Sequence, residues 1–380
     1  MTQIRLSRAR ARIWAAAAIC TFGLASAAGA QSSGTLGFVV RDWYNAIYET
    51  KFMDECPEGL NVANDEYWWR SLSREDRAKK TDNGIIQTLS RYNEAVHRGP
   101  NREDVCLNPT ALPPDGPFKT AEGKFSYGAN LDGTTDGRAT AKTCAHPKYT
   151  GLDGAPAVDN QMYRLLGCTY GWRSDGIVDL NANEMRGTSG LGMILIEVTG
   201  VNERDPRNSD DVTVTFYRSI DQFTLDSTGR PLPFSTYRIE TVNGKPRYAD
   251  ALKGSIKDGV LTTGRGDVRL PFYGNYNFMH PVIKDMGLRL EIDPDGRIAK
   301  GQITGYYDVE NLIYYITGLG GTVSISGFSC SSINAAAHLL ADGYPDPKTG
   351  RCTMLSSAFN ITAYSAFVLH PEREEKMSQR

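Results

Sequence analysis

Asp132-Gly-Thr134-Thr-Asp136-Gly137 places side-chain oxygens at positions 1, 3 and 5 of a loop with glycine at position 6. A calcium-binding loop of the EF-hand type begins this way. Position 12, where such a loop supplies a bidentate acid, is Thr143. Asp179-x-Asn181-x-Asn183 repeats the spacing, but Glu184 replaces the glycine and Gly190 falls at position 12. Asp153 and Asp159 follow the first loop, so Asp132, Asp136, Asp153 and Asp159 form the candidate metal-ligand set, converging if Cys144 and Cys168 tether the region. Calcium is the cofactor this pattern suggests. The competing explanation is turn formation, because Asp bonds its own backbone and Gly takes positive φ.

Other chemistry finds less support. Gly327-Phe-Ser329-Cys-Ser331 has a serine where a nucleophile elbow needs a small glycine. His97, His146, His280, His338 and His370 show no HExxH spacing. Acid pairs for glycoside hydrolysis lie far apart in sequence, so spacing is silent among 44 acidic residues. Thr263-Gly-Arg-Gly-Asp267 is a glycine-rich turn without the phosphate-loop Lys. No catalytic residue is assigned. The ligand-binding candidates are aromatic: Phe272, Tyr273, Tyr276 and Phe278, clustered around Gly274 and asparagines, and Trp172. Such rings suit sugars or apolar ligands, and equally suit the cap of a core.

Residues 1–30 read as a signal peptide. Arg5, Arg8, Arg10 and Arg12 precede an uncharged, Ala-rich run that ends in Ala28-Gly29-Ala30. Without them the net charge falls from −2 to near −6. That disfavours nucleic acid as a partner and leaves an envelope protein or a glycan. No later apolar stretch is long enough to span a bilayer. Of seven Cys, six remain after Cys20 leaves, an even number that suits disulfides in a periplasmic or secreted chain. Six Cys allow fifteen pairings. The sequential one is expected: Cys56–Cys106, Cys144–Cys168 and Cys330–Cys352.

The elements that would position these residues follow from periodicity. Asn64 and Ser73 can cap short helices, and Ile85, Leu89, Tyr92 and Val96 lie on one helical face. Residues 34–50 suit a strand or a helix. Residues 100–157 are dense in Pro, Gly, Asp and Thr and read as irregular. Asp159 can cap a helix through Met162 and Leu166. From 191 to 306 the period becomes two, and Asp293-Pro-Asp-Gly296 marks a hairpin. Asp308 caps a helix carrying Val309, Leu312, Ile313 and Ile316, a second helix runs through Ile333 and Leu340, and 355–369 returns as a strand.

Asp153–Gln161 and Leu340–Leu369 resemble segments of uncharacterised exported bacterial proteins, in which a DG…DN loop precedes a helix and a Cys leads into a final strand. The resemblance implies export and a C-terminal strand, and no activity. The expected fold is α+β and mainly β: an antiparallel β-sandwich over 191–370 with two C-terminal helices. An irregular, disulfide-linked region precedes it at 31–190, and a charged tail follows at 371–380. The expected role is non-enzymatic binding at the cell envelope; the rival is a secreted, calcium-dependent hydrolase of glycans.

Overall fold

The computed structural model describes residues 33–61, 69, 72–79, 98–114, 117–174, 176–274, 277–317 and 329–371. The stretch 1–30 expected to be a signal peptide, the helices expected around Asn64 and at 85–96, Tyr276, and the tail beyond 371 lie outside them.

Eight strands carry the fold: β1 (Ser33–Asn45), β2 (Ile194–Asn202), β3 (Ser209–Arg218), β4 (Asp250–Lys257), β5 (Val260–Thr263), β6 (Val282–Ile292), β7 (Ile298–Asp308) and β8 (Cys352–Leu369). Each pairs antiparallel with the next in chain order. β8 then pairs back onto β1 through Phe38↔Ser365, Val40↔Ala363 and Asn45↔Phe359. The expected sandwich is therefore corrected to a closed, eight-stranded up-and-down barrel with extra strands on its rim. Alternation of apolar and polar residues looks the same in both architectures. They differ in whether the first strand meets the last, a contact across almost the whole chain that leaves no local mark.

One residue in two points inward. Phe38, Ile196, Val214, Phe216, Leu288, Leu290, Ile303, Phe359 and Ile361 belong to a single buried core. Gly301 is needed where β7 passes β6, since a Cβ there would lie 1.8 Å from the Arg289 carbonyl oxygen. Among the described residues five α-helices accompany the barrel: α1 (Arg74–Ala78), α2 (Gln161–Leu166), α3 (Ile177–Ser189), α4 (Val309–Thr317) and α5 (Cys330–Leu340). The last two are those expected from the i, i+3, i+4, i+7 pattern. Asp308 Oδ1 accepts from Asn311 N at the start of α4, and Val309, Leu312, Ile313 and Ile316 all enter the core. α2 is capped by Asn160, not Asp159: the Asn160 side chain accepts from Tyr163 N. Met162, Leu165 and Leu166 of α2 and Ile333 and Ala337 of α5 pack into the same core, closing the barrel near the start of β8.

The segment between β1 and β2 wraps this framework, and the disulfides hold it there. The bonds are Cys56–Cys168, Cys106–Cys330 and Cys144–Cys352, which corrects the sequential pairing. Each expected pair would have stapled a local loop. Two of the observed bonds instead tie the irregular segment to α5 and to the first residue of β8. Peptide mapping without reduction should yield the Cys106–Cys330 and Cys144–Cys352 linked fragments and no free thiol. Replacing Cys106 and Cys330 together by Ser should cost about 2–5 kcal/mol in a urea melt.

Candidate functional site

The stretch 129–159 is irregular, but isolated bridges pin it: Ala129↔Asp159, Tyr149↔Val158 and Thr143↔Gly343. Gly137 at φ +71° lets the chain turn under His146, whose carbonyl oxygen would lie 1.9 Å from any Cβ there. These constraints drive a set of charged side chains inward. His146 Nε2 lies 2.7 Å from Asp159 Oδ1, 3.5 Å from Asp342 Oδ2 and 3.8 Å from Asp132 Oδ2. Lys148 Nζ lies 2.6 Å from Asp132 Oδ1 and 2.5 Å from Asp159 Oδ1. The side chains of Asp132 and Asp159 are fully buried, and Asp342 keeps 1% of its exposure.

Each carboxylate is positioned by main-chain donors. Asp132 Oδ1 accepts from Thr134 N at 2.7 Å, and Asp159 Oδ2 from Leu131 N at 2.7 Å. Asp342 Oδ1 accepts from Ser356 N at 2.7 Å. Burial alone would raise Asp159, but hydrogen bonds from His146, Lys148 and Leu131 N hold it below the ordinary carboxylate range. Asp342 has fewer donors, and burial pushes it up to about 6. Burial would depress His146; the bond to Asp159 and the field of Asp342 lift it instead.

Of the four aspartates singled out in the sequence, the fold brings together Asp132 and Asp159. Asp136 is exposed and faces Arg138 at 3.8 Å. Asp153 caps its own turn by accepting from Ala155 N. His146, Lys148 and Asp342 complete the cluster. Asp342 sits at the far end of the chain beside β8, so no spacing could have found it. The second calcium-like pattern is helical. Asp179, Asn183 and Arg186 lie on one face of α3, where Asp179 accepts from Asn45 N and Nδ2 and Asn183 Oδ1 accepts from Trp43 N.

The aromatic candidates divide. Phe272 and Trp172 line one small interior cavity with Trp43, Tyr307, Tyr315 and Phe359. At about 20 Å³ it has room for a single water, and Trp172 Nε1 finds no hydrogen-bond acceptor among the described residues. Tyr273 and Phe278 pair across the hairpin Phe272–Gly274/Asn277–Met279, and the Arg218 guanidinium lies 4.3 Å from the Phe278 ring centre. Tyr276 is outside the described residues.

Larger spaces lie outside the barrel. The loops 126–128 and 151–153 stand off the outer wall of β1, β6, β7 and β8 and leave a groove of about 520 Å³. Tyr44 and Tyr127 line it with Arg289, Lys300, Gln302 and Asn360. Apart from Tyr127, which the loop supplies, these are outward positions of the strands, whose neighbours alternation sends into the core. A second space of about 330 Å³ shares Tyr44 and Asn360 with the first and reaches Glu49, Arg173 and Asp179. At its floor, burial pushes the Asp179 carboxyl up to about 7 against the bonds from Asn45.

Two outcomes follow. Lys148→Met leaves Asp132 and Asp159 without their shared cation, so the folded state should lose about 3–5 kcal/mol, as when one partner of a buried pair is removed. Asp179 is held above its unfolded value of about 3.9, so the native state binds the proton more tightly. Its contribution to stability is intact below about pH 4 and is lost as pH rises toward 7. Asp179→Asn should flatten that decline by about 3–4 kcal/mol between pH 4 and pH 8, read from paired urea melts. No family model, curated protein or solved structure matches the chain, and its function must be read from this geometry.

Proposed function

We propose that this is an exported binding protein of the cell envelope that takes a hydroxyl-rich ligand, a glycan, in the outer-wall groove. One observation carries the reading: the groove joins two tyrosines to the planar amides of Gln302 and Asn360 and to charged Arg289 and Lys300 on a rigid barrel wall. Aromatic faces cover the apolar patches of a sugar ring, while amides and charged groups serve its hydroxyls. Gln302 Nε2 donates to Asn360 Oδ1 at 2.9 Å, so the pair is held in place before any ligand arrives. The N-terminal signal pattern and three disulfides support export. No helix among the described residues is long and apolar enough to cross a membrane.

A second reading keeps the groove and adds hydrolysis. It is favoured by Asp179, whose raised carboxyl lines the adjoining space with Glu49. A carboxyl that stays protonated near neutrality is what a glycosidic leaving group needs.

Calorimetric titration with a panel of envelope and exopolysaccharide fragments tests both. Tyr44, 39% exposed, should be replaceable by Ala with less than about 1 kcal/mol lost in stability. The same change should weaken glycan binding about tenfold, the cost of truncating a contact aromatic. Unchanged affinity in Tyr44→Ala, or no binding across the panel, refutes the groove. New reducing ends that vanish in Asp179→Asn would favour the hydrolase.

A further inference from the structure

The buried cluster under β8 is short of positive charge. Asp132 and Asp159 share one permanent cation, the Lys148 ammonium, and among the described residues the three carboxylates otherwise face only the titratable ring of His146. Arg265, whose field also reaches Asp159, is engaged by the carbonyl oxygens of Asp285 and Asn130. The protonation of His146 can be deduced. Nδ1 lies 2.8 Å from the Cys144 carbonyl oxygen, which can only accept, so Nδ1 carries the hydrogen. In the neutral ring Nε2 is then a lone pair, and it points at three carboxylates. Two further groups are unanswered. Among the described residues Asp342 Oδ2 is buried without a hydrogen-bond partner, and so is the hydroxyl of Tyr306, a side chain close enough to feel the charge of all three aspartates.

We propose that His146 Nε2, Asp159 Oδ1, Asp342 Oδ2 and Asp132 Oδ2 hold a structural divalent transition-metal ion, zinc by preference. A divalent charge balances three carboxylates and one lysine. The Nε2–oxygen separations of 2.7, 3.5 and 3.8 Å bracket the edge of a zinc tetrahedron, about 3.3–3.5 Å for bonds of about 2.0–2.2 Å. An imidazole among carboxylates suits zinc better than calcium, which takes six to eight oxygens at longer range. The His146 bond to a main-chain carbonyl and the Lys148 bonds to Asp132 and Asp159 are the outer contacts that orient metal ligands. The ligand atoms of Asp132, His146 and Asp159 lie within 4.8 Å of one another, and Asp342 Oδ2, 3.5 Å from Nε2, is placed to supply the fourth, so the ion's role is to hold the irregular segment on the barrel. All six cysteines of the described residues are in disulfides, so no thiolate competes for the ion.

The oxidised mature chain, free of any histidine tag, should be unfolded with its disulfides intact, stripped with chelator, and refolded with or without zinc. After dialysis it should retain about one zinc per chain, melt several degrees higher than the stripped form, and give the visible absorption of tetrahedral cobalt when refolded with Co²⁺. Asp342→Asn should lose the retained metal and the cobalt band, while Asp136→Asn should keep both. Three results overturn the site: no retained zinc with no cobalt band, a melt indifferent to zinc, or a rise with calcium and none with zinc. Retention of the ion in folded Asp342→Asn would overturn the ligand set.

Discussion

The pairing of β1 with β8 is the constraint on which the rest depends. Without it the eight strands would be an open meander with two exposed edges, each a row of unpaired main-chain groups. With it, every barrel strand has two neighbours, and the inward residues of all eight meet in one core. β8 is the hub of this arrangement. Its 18 residues pair with β1 and β7, with Gly343–Pro345 at its start, and in parallel with Ser235–Arg238 at its end. The parallel partner belongs to an excursion that covers outward apolar positions. Val39, Leu195, Tyr237 and Val368 form a second, smaller core outside the barrel.

Closure also explains where the polar chemistry lies. The barrel interior is filled by aromatic and aliphatic side chains, and its cavity near Trp172 admits only a water. The buried cluster of Asp132, His146, Lys148, Asp159 and Asp342 lies instead in the layer between the outer wall and the segment wrapped over it. Burial in that layer is what moves an aspartate such as Asp342 from its usual ionisation. The disulfides from Cys106 and Cys144 fasten the wrapping segment at the rim. Asp132 and Asp159 are held against β8 by covalent ties as much as by their own contacts.

Much of this was legible residue by residue, and little of it at long range. An apolar run of strand length located β2, alternation located β3, β6 and β8, and Asp308 with its i, i+3, i+4, i+7 followers located α4, because these signals lie within one element. Barrel closure was not legible, since Phe38 and Ser365 carry no sign of each other. α3 was missed for a different reason. Its N-cap is Gly176, which offers no side chain, and Asp179, Asn181 and Asn183 imitate a cation loop. The same i, i+4, i+7 spacing in fact puts Asp179, Asn183 and Arg186 on one buried face. The buried cluster was half legible. Asp132 and Asp159 stood out as turn-rich aspartates, while His146 and Asp342 became visible only once the fold had placed β8 beside them.

The two sites relate through one segment. Residues 126–128 and 151–153, which overhang the groove, are continuous with 129–150, which carries Asp132, His146 and Lys148 into the buried layer. Phe125–Ser126 and Thr150–Gly151 pair in parallel and bring the two lips of the overhang together. Anything that fixes the cluster therefore fixes the height of the lips above Gln302 and Asn360. Neutralising buried charge there contributes stability to a loop that lacks regular structure of its own, because unpaired carboxylates would otherwise drive it open. A groove built half from barrel wall and half from loop needs that support to keep its shape. The wall is rigid by closure, and the loop is rigid only as far as its disulfides and its buried charges hold it.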